Sequence, residues 1–115
     1  MLANPYVRVT NNFLHDMATG TWAASLAVLV VLSGRLEGMP AEAAAALGDA
    51  MTLVFRILIG ALVVVSATGG IRLAYWRQQS APEDLAAKRR ALAVKHIAFF
   101  AVYGLGTLWG WQLLP

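Results

Sequence analysis

A long apolar stretch, MTLVFRILIGALVVVSATGGIRLAYW at residues 51–76, decides the fold. It is interrupted by two charged residues, Arg56 and Arg72. A helix needs about 20 mainly apolar residues to cross the roughly 30 Å of hydrocarbon in a bilayer. We therefore expect residues 51–76 to form a membrane-spanning helix, TM2, with the Tyr-Trp pair at its end as an interfacial anchor.

Two further apolar stretches flank TM2. Residues 17–34 carry no charge and predict TM1 at about residues 12–34. Residues 97–115 are also uncharged and predict TM3 at about residues 93–114. The expected fold is all-α: an integral membrane three-helix bundle in which residues 1–115 form a single transmembrane domain.

The composition favours a membrane protein over a soluble one. Hydrophobic residues make up 59% of the 115 residues and charged residues 13%, with a mean hydropathy of +0.63. Soluble proteins average about 45–50% apolar and about 25% charged residues, and a soluble domain of this size has too little interior to bury so much apolar surface. The absence of cysteine excludes disulfides, thiolate metal sites and cysteine nucleophiles. Motifs of hydrolases and phosphoryl-transfer enzymes are absent as well.

The connections between the spans carry turn and capping signals. Residues 35–40, RLEGMP, end TM1 with a charge, a glycine and a proline. The alanine-rich residues 41–46 predict a short interfacial helix or a lead-in to TM2. Ser80 and Glu83 fit a capping box, and the proline between them suits a first turn. We therefore expect a helix to begin near residue 81 and to continue into TM3.

The distribution of basic residues predicts the orientation of the chain. Most of them lie in or beside the TM2–TM3 connection: Arg72, Arg77, Lys88, Arg89, Arg90 and Lys95. Because loops rich in Lys and Arg stay in the cytoplasm, we expect a cytoplasmic N-terminus and an outside C-terminus in a bacterial-type inner (cytoplasmic) membrane. We therefore expect the basic residues behind the net charge of +3 to set the orientation of the chain in the membrane and to contact anionic lipid head groups. We expect no nucleic-acid partner.

The two histidines, His15 and His96, are the main candidates for chemistry. Each lies three residues past the predicted start of its span, roughly 5 Å inside the cytoplasmic boundary at 1.5 Å rise per residue. Two imidazoles on different helices therefore share one depth, as the axial ligands of a b-type haem would. The alternatives are interfacial histidines that contact head groups or water, or histidines with another metal or proton role. Two histidines alone leave a copper or zinc site short of protein ligands.

Other side chains near that depth fit a haem site. Gly69 and Gly70 in TM2 allow close approach of a flat macrocycle or of a neighbouring helix. Arg72 and Lys95 would meet haem propionates. Trp22 in TM1 follows His15 at i+7. In TM3, Phe99, Phe100 and Tyr103 follow His96 at i+3, i+4 and i+7 and form an aromatic stripe that either flanks a porphyrin or packs the helices together.

These residues predict a small membrane b-type haem subunit for electron transfer, with His15 and His96 as iron ligands. It would work within a larger respiratory or photosynthetic assembly or as a homo-oligomer, and we do not expect a stand-alone enzyme. The alternative is a cofactor-free structural accessory subunit that docks on a larger membrane complex.

The segment His15-Asp-Met-Ala-Thr-Gly-Thr-Trp22-Ala-Ala resembles the first helix of the copper-resistance protein D (CopD) family and of the HemJ-type protoporphyrinogen oxidases. Those families show a histidine, a tryptophan seven residues later, and then small residues. Val94-Lys95-His96-Ile97 resembles the run that carries a functional lysine in HemJ-type proteins. The resemblance implies a haem-associated membrane helix bundle with His15 and Lys95 as haem-linked residues, or a CopD-like metal-handling protein.

Three further polar or small-residue features lie within or beside the spans. Arg56 is expected to extend to the outer surface or to pair with Asp49 or a partner subunit. Asp16 is expected to pair with Lys95 or Arg72. The G-x-x-x-G motif at residues 106–110 predicts close helix packing, within this chain or against another.

Overall fold

The structure, a computed structural model, describes residues 4–79 and 85–115, and for residues 75–79 and 85–88 it describes the backbone alone. These residues form three helices, α1 (Pro5–Ser33), α2 (Ala41–Gln79) and α3 (Leu85–Leu113), and contain no strand. All three are long and apolar enough to cross a membrane. The prediction of an all-α chain with three candidate spans is thus confirmed, and it indicates a multi-pass membrane protein.

Helix α1 begins seven residues before the predicted span because a cap and a proline start it early. The side chain of Asn4 accepts a hydrogen bond of 2.9 Å from the backbone N–H of Tyr6. This is the N-cap interaction that asparagine favours, and Pro5 occupies the first turn, where its missing N–H costs nothing. The polar start of the sequence is therefore helical, and His15 lies almost three turns inside α1.

Helix α2 is continuous from Ala41 to Gln79, so the alanine-rich residues 41–46 are a lead-in to TM2 and not a separate helix. At 1.5 Å per residue its 39 residues measure about 58 Å, close to the 63 Å length of the whole molecule. The turn before it contains Gly38 at φ 84°, a left-handed conformation that glycine adopts without steric cost.

Several predictions about the second connection fall outside the described residues. These are the capping box at Ser80 and Glu83 and the helix start near residue 81. The side chains of Tyr75, Trp76, Arg77 and Lys88 are likewise outside the description, so their predicted roles as an interfacial anchor and as topogenic charges stay predictions.

The core lies between α1 and α2, which pack against each other more extensively than either packs against α3. Its buried members are Trp22 and Leu29 from α1 and Met51, Leu58 and Ala61 from α2. Arg56 lies outside this core on the exposed surface of α2, and in the described part of the chain it makes no ion pair with Asp49.

Helix α3 is anchored to the other two helices through its C-terminal half. A Cβ atom placed on Gly106 would lie 2.5 Å from Cη2 of Trp22, and one on Gly110 would lie 3.4 Å from Cδ1 of Leu26. The indole Nε1 of Trp22 also donates a hydrogen bond of 3.1 Å to Oγ1 of Thr107. The G-x-x-x-G motif therefore serves packing within this chain.

The N-terminal half of α3 is attached much more loosely. No side chain of residues 89–100 is buried. At this end α1 begins, α2 ends and α3 begins, and we call it the histidine end. Because α3 contacts the other helices through its C-terminal half, a cleft lies between the three helices at the histidine end.

Replacing Gly106 by alanine is expected to destabilise the bundle. The added methyl group would meet the Trp22 ring, which is buried, hydrogen-bonded to Thr107 and packed against the Tyr103 ring, so it has little room to move. Overpacking of this kind costs about 1–3 kcal/mol, measured as the free energy of unfolding in detergent by circular dichroism. Gly104→Ala is the matched control because nothing lies within 4 Å of its added Cβ. Equal stability of the two variants would contradict the assigned packing.

Candidate functional site

The cleft at the histidine end is the candidate site, and we call it the histidine cleft. It has a volume of about 790 Å³, within the range of about 300–1,000 Å³ that small-molecule and cofactor sites occupy. Six of the eight predicted site residues line it: His15, His96, Gly69, Gly70, Arg72 and Lys95. Residues from all three helices thus meet at one level, as their predicted depths require.

The other two predicted site residues lie outside the cleft. The rings of Trp22 and Tyr103 pack against each other with centroids 4.6 Å apart, and Trp22 is buried in the α1–α2 core. Phe99 lies 4.6 Å from Tyr103, and Phe99 and Phe100 line the cleft. The aromatic stripe therefore divides: its first two rings form a cleft wall, and its third packs α3 against α1.

The tautomer of His15 follows from its contact with α2. Its Nδ1 lies 2.8 Å from Oγ1 of Thr68, and that hydroxyl lies 2.7 Å from the carbonyl oxygen of Val64, which can only accept. A threonine hydroxyl has one proton to donate. Because this hydroxyl lies 2.7 Å from the carbonyl oxygen of Val64 and 3.2 Å from that of Val65, we assign its proton to these carbonyls and infer that the Thr68 oxygen accepts the Nδ1–H of His15. The Nε2 atom of the neutral ring then carries the lone pair.

His96 adopts the same tautomer through a different contact. Its Nδ1 lies 2.8 Å from the backbone carbonyl oxygen of Leu92, one turn earlier in α3. A carbonyl can only accept, so Nδ1 donates and Nε2 keeps its lone pair. Histidines that bind a metal commonly donate their other ring N–H to such an acceptor, which fixes the tautomer and the ring orientation. Both imidazoles in the cleft thus have Nδ1 occupied by a hydrogen bond and Nε2 unprotonated in the neutral ring.

Two residues near the cleft were not singled out from the sequence. The Nδ2 atom of Asn11 donates a hydrogen bond of 3.1 Å to the backbone oxygen of Thr68, and both residues are buried. Together they tie α1 to α2 beside His15. The sequence contained an indication of both residues, because Asn11 lies one turn before His15 on the same face of α1 and Thr68 directly precedes Gly69.

Arg72 is held at the rim of the cleft by two side chains of α1. Its Nε donates a hydrogen bond of 2.9 Å to Oδ1 of Asn12, and its Nη2 lies 3.5 Å from Oδ1 of Asp16. The predicted alternative that Asp16 pairs with Arg72 is confirmed. Because the Asp16 carboxylate is exposed, this pair adds little stability, and its effect is to orient the guanidinium.

The charge of the cleft is positive. Three cations line it, Arg8, Arg72 and Lys95, and no carboxylate does among the described lining residues. A ligand with anionic groups at this end and an apolar body toward Phe99 and Phe100 matches this arrangement.

The described residues fit a porphyrin better than a bare metal ion. Within residues 4–79 and 85–115, no group of three or more His, Asp or Glu side chains is placed to hold a metal ion. Zinc sites need three or four protein ligands. A porphyrin supplies four equatorial nitrogens itself and asks the protein for axial ligands alone, and the cleft offers two imidazoles.

Comparison of the chain with models of known protein families, with characterised proteins and with solved structures found no match. The resemblance of residues near His15 and Lys95 to the CopD family and to HemJ-type proteins therefore stays a prediction.

The tautomer assignment can be tested by nitrogen NMR of the protein labelled with ¹⁵N-histidine, because the chain has two histidines. In the neutral state of both rings, we expect a protonated Nδ1 and an unprotonated Nε2. Thr68→Val removes the acceptor of His15 and is expected to move that ring toward the Nε2–H tautomer, with His96 unchanged.

Thr52→Val is the matched control for this measurement. Its hydroxyl makes a similar bond of 3.0 Å to the carbonyl oxygen of Gly48 in the same helix. We expect it to leave both histidine signals unchanged. An Nε2–H tautomer at either histidine of the unmutated chain would contradict the assignment.

Proposed function

We propose that this protein is a membrane b-type haem subunit for electron transfer, with Nε2 of His15 and of His96 as the axial ligands. The observation that carries the proposal is that both imidazoles line one cleft and both use Nδ1 as a hydrogen-bond donor. Haem iron bound there would supply a reversible one-electron carrier.

The chain's own residues would bind and orient the group. Thr68 and the Leu92 carbonyl hold the two imidazole rings in the ligating tautomer. Arg8, Arg72 and Lys95 offer positive charge to the propionates. Gly70 leaves space beside the ring, because a Cβ added there would meet no atom within 4 Å.

The aromatic wall formed by Phe99 and Phe100 would affect the reduction potential of a bound haem. These rings give one side of the cleft an apolar surface. Burial and low polarity around an iron centre are among the factors by which a protein sets its reduction potential.

Electron transfer requires a donor and an acceptor, so we propose that the protein works in a larger membrane assembly or as a homo-oligomer within the lipid bilayer. The exposed surface of α3 is consistent with this. It carries large apolar side chains along its length: Val94, Ile97, Val102, Leu105, Leu108 and Trp109. Lipid or the surface of another subunit would cover them.

The proposed orientation is N-terminus inside and C-terminus outside in a bacterial-type inner membrane, from the bias of basic residues toward the histidine end. Single cysteines test it, because the chain has none of its own. In intact cells a membrane-impermeant maleimide should label Met39→Cys at once and Tyr6→Cys after lysis alone, since both positions are exposed. The reverse labelling would contradict the orientation.

Haemin titration of the purified full chain tests the function. We expect a Soret band and, after reduction, the sharp α and β bands of a low-spin haem with two imidazole ligands. His15→Ala and His96→Ala should each abolish those sharp bands. Thr21→Ala is a control on α1, because its hydroxyl bonds to the Met17 carbonyl of its own helix and does not line the cleft.

Two outcomes would contradict the proposal. A chain that stays colourless with added haemin would favour a cofactor-free accessory subunit. Copper bound in a one-to-one ratio without porphyrin would favour a CopD-like metal-handling protein.

A further inference from the structure

We propose that the two axial positions are unequal, so that the reduced protein also binds small neutral ligands such as diatomic gases, which take the place of His96 while His15 stays bound. This inference rests on the proposed haem site and adds a ligand-binding activity to it. It follows from the different ways in which the chain holds its two imidazoles.

His15 is held by contacts between helices. Its ring donates to Thr68 on α2, and the buried Asn11 on α1 donates to the backbone oxygen of the same threonine. The ring is half-buried beside Gly69, whose added Cβ would lie 3.7 Å from its Cε1 atom. Withdrawing His15 from an iron atom would break a hydrogen bond between α1 and α2, which form the core of the molecule.

Within residues 4–79 and 85–115, the hydrogen bond of the His96 ring lies within its own helix. The ring is exposed, and its acceptor is the Leu92 carbonyl of α3. This hydrogen bond moves together with α3 and does not tie the helix to α1 or α2. Withdrawing His96 therefore breaks no hydrogen bond between helices.

The helix that bears His96 has few packing contacts among its described residues at the histidine end. No side chain of residues 89–100 is buried, whereas the anchored half begins with the ring contact of Tyr103 with Trp22, about two turns after His96. A small tilt of α3 about that anchor would carry His96 away from the cleft without disturbing the core between α1 and α2.

The chemistry of the cleft selects the incoming ligand. Phe99 and Phe100 line the cleft on α3, the helix that bears His96, so the surface beside them is apolar and a small uncharged molecule loses little solvation there. Reduced haem iron binds carbon monoxide once an axial position opens, which makes carbon monoxide a suitable probe of this class.

Carbon monoxide titration of the full chain, reconstituted with haemin in nanodiscs and reduced, tests the inference. We expect the unmutated protein to bind carbon monoxide and to keep its haem. If the minor state with His96 detached is about 0.1–10% populated, removal of His96 should tighten binding by at least about tenfold, since apparent affinity scales with the competent fraction.

Haem retention gives the second readout, measured as the rate of haem transfer to apomyoglobin. We expect His15→Ala to release haem faster than His96→Ala. Thr68→Val, which keeps the ligand and removes its acceptor, should weaken haem binding by about 10–100-fold, as loss of such outer contacts commonly does. Thr52→Val, with its hydroxyl bond elsewhere on α2, should leave retention unchanged.

The outcomes separate this inference from the function on which it rests. Haem uptake with both imidazoles bound but no response to carbon monoxide would overturn the inference and leave the proposed function standing. Equal haem loss from the two histidine variants would overturn it as well. Failure of the unmutated chain to take up haemin would overturn both.

Discussion

The contact between Trp22 and Gly106 determines how the third helix joins the first two. An indole ring fits against the backbone of α3 where any side chain would collide with it, and its Nε1 atom is hydrogen-bonded to Thr107. In a bilayer, apolar surface alone does not draw helices together, so small residues that permit close approach decide where helices meet. The close approach is confined to one half of α3. The histidine cleft exists because the other half stays apart.

The polar groups beside His15 are hydrogen-bonded to one another and to the backbone of α2. One hydroxyl, that of Thr68, accepts from His15 and donates to the Val64 carbonyl, so its hydrogen-bonding capacity settles the state of the imidazole. A buried amide, Asn11, satisfies the carbonyl of the same threonine. Unpaired polar groups in an apolar environment are costly. The same pairings that lower this cost also leave Nε2 of His15 without a proton in the neutral ring.

The sequence predicted the number of helices and the shared level of His15, His96 and Gly69. Span length is imposed by the thickness of the bilayer, and depth follows from counting residues along a helix of fixed rise. The cap at Asn4 lies before the predicted span because that span was located by its charge-free apolar residues, although Asn-Pro is a good helix start. Rotation about each helix axis was harder to predict. Lipid is as apolar as the core, so apolar residues do not show which face is inside. For that reason Trp22 and Tyr103 were assigned to the cofactor site, whereas they pack the helices, and Thr68 was overlooked.

The central claim is that His15 and His96 can bind one iron atom from opposite sides. Electron paramagnetic resonance of the ferric, haemin-loaded chain tests it most directly, because the spin state reports the axial ligands. The account predicts a low-spin signal of two imidazole ligands that is lost when either histidine is replaced by alanine. A high-spin signal from the unmutated chain, or a low-spin signal that survives the loss of one of the two histidines, would contradict it.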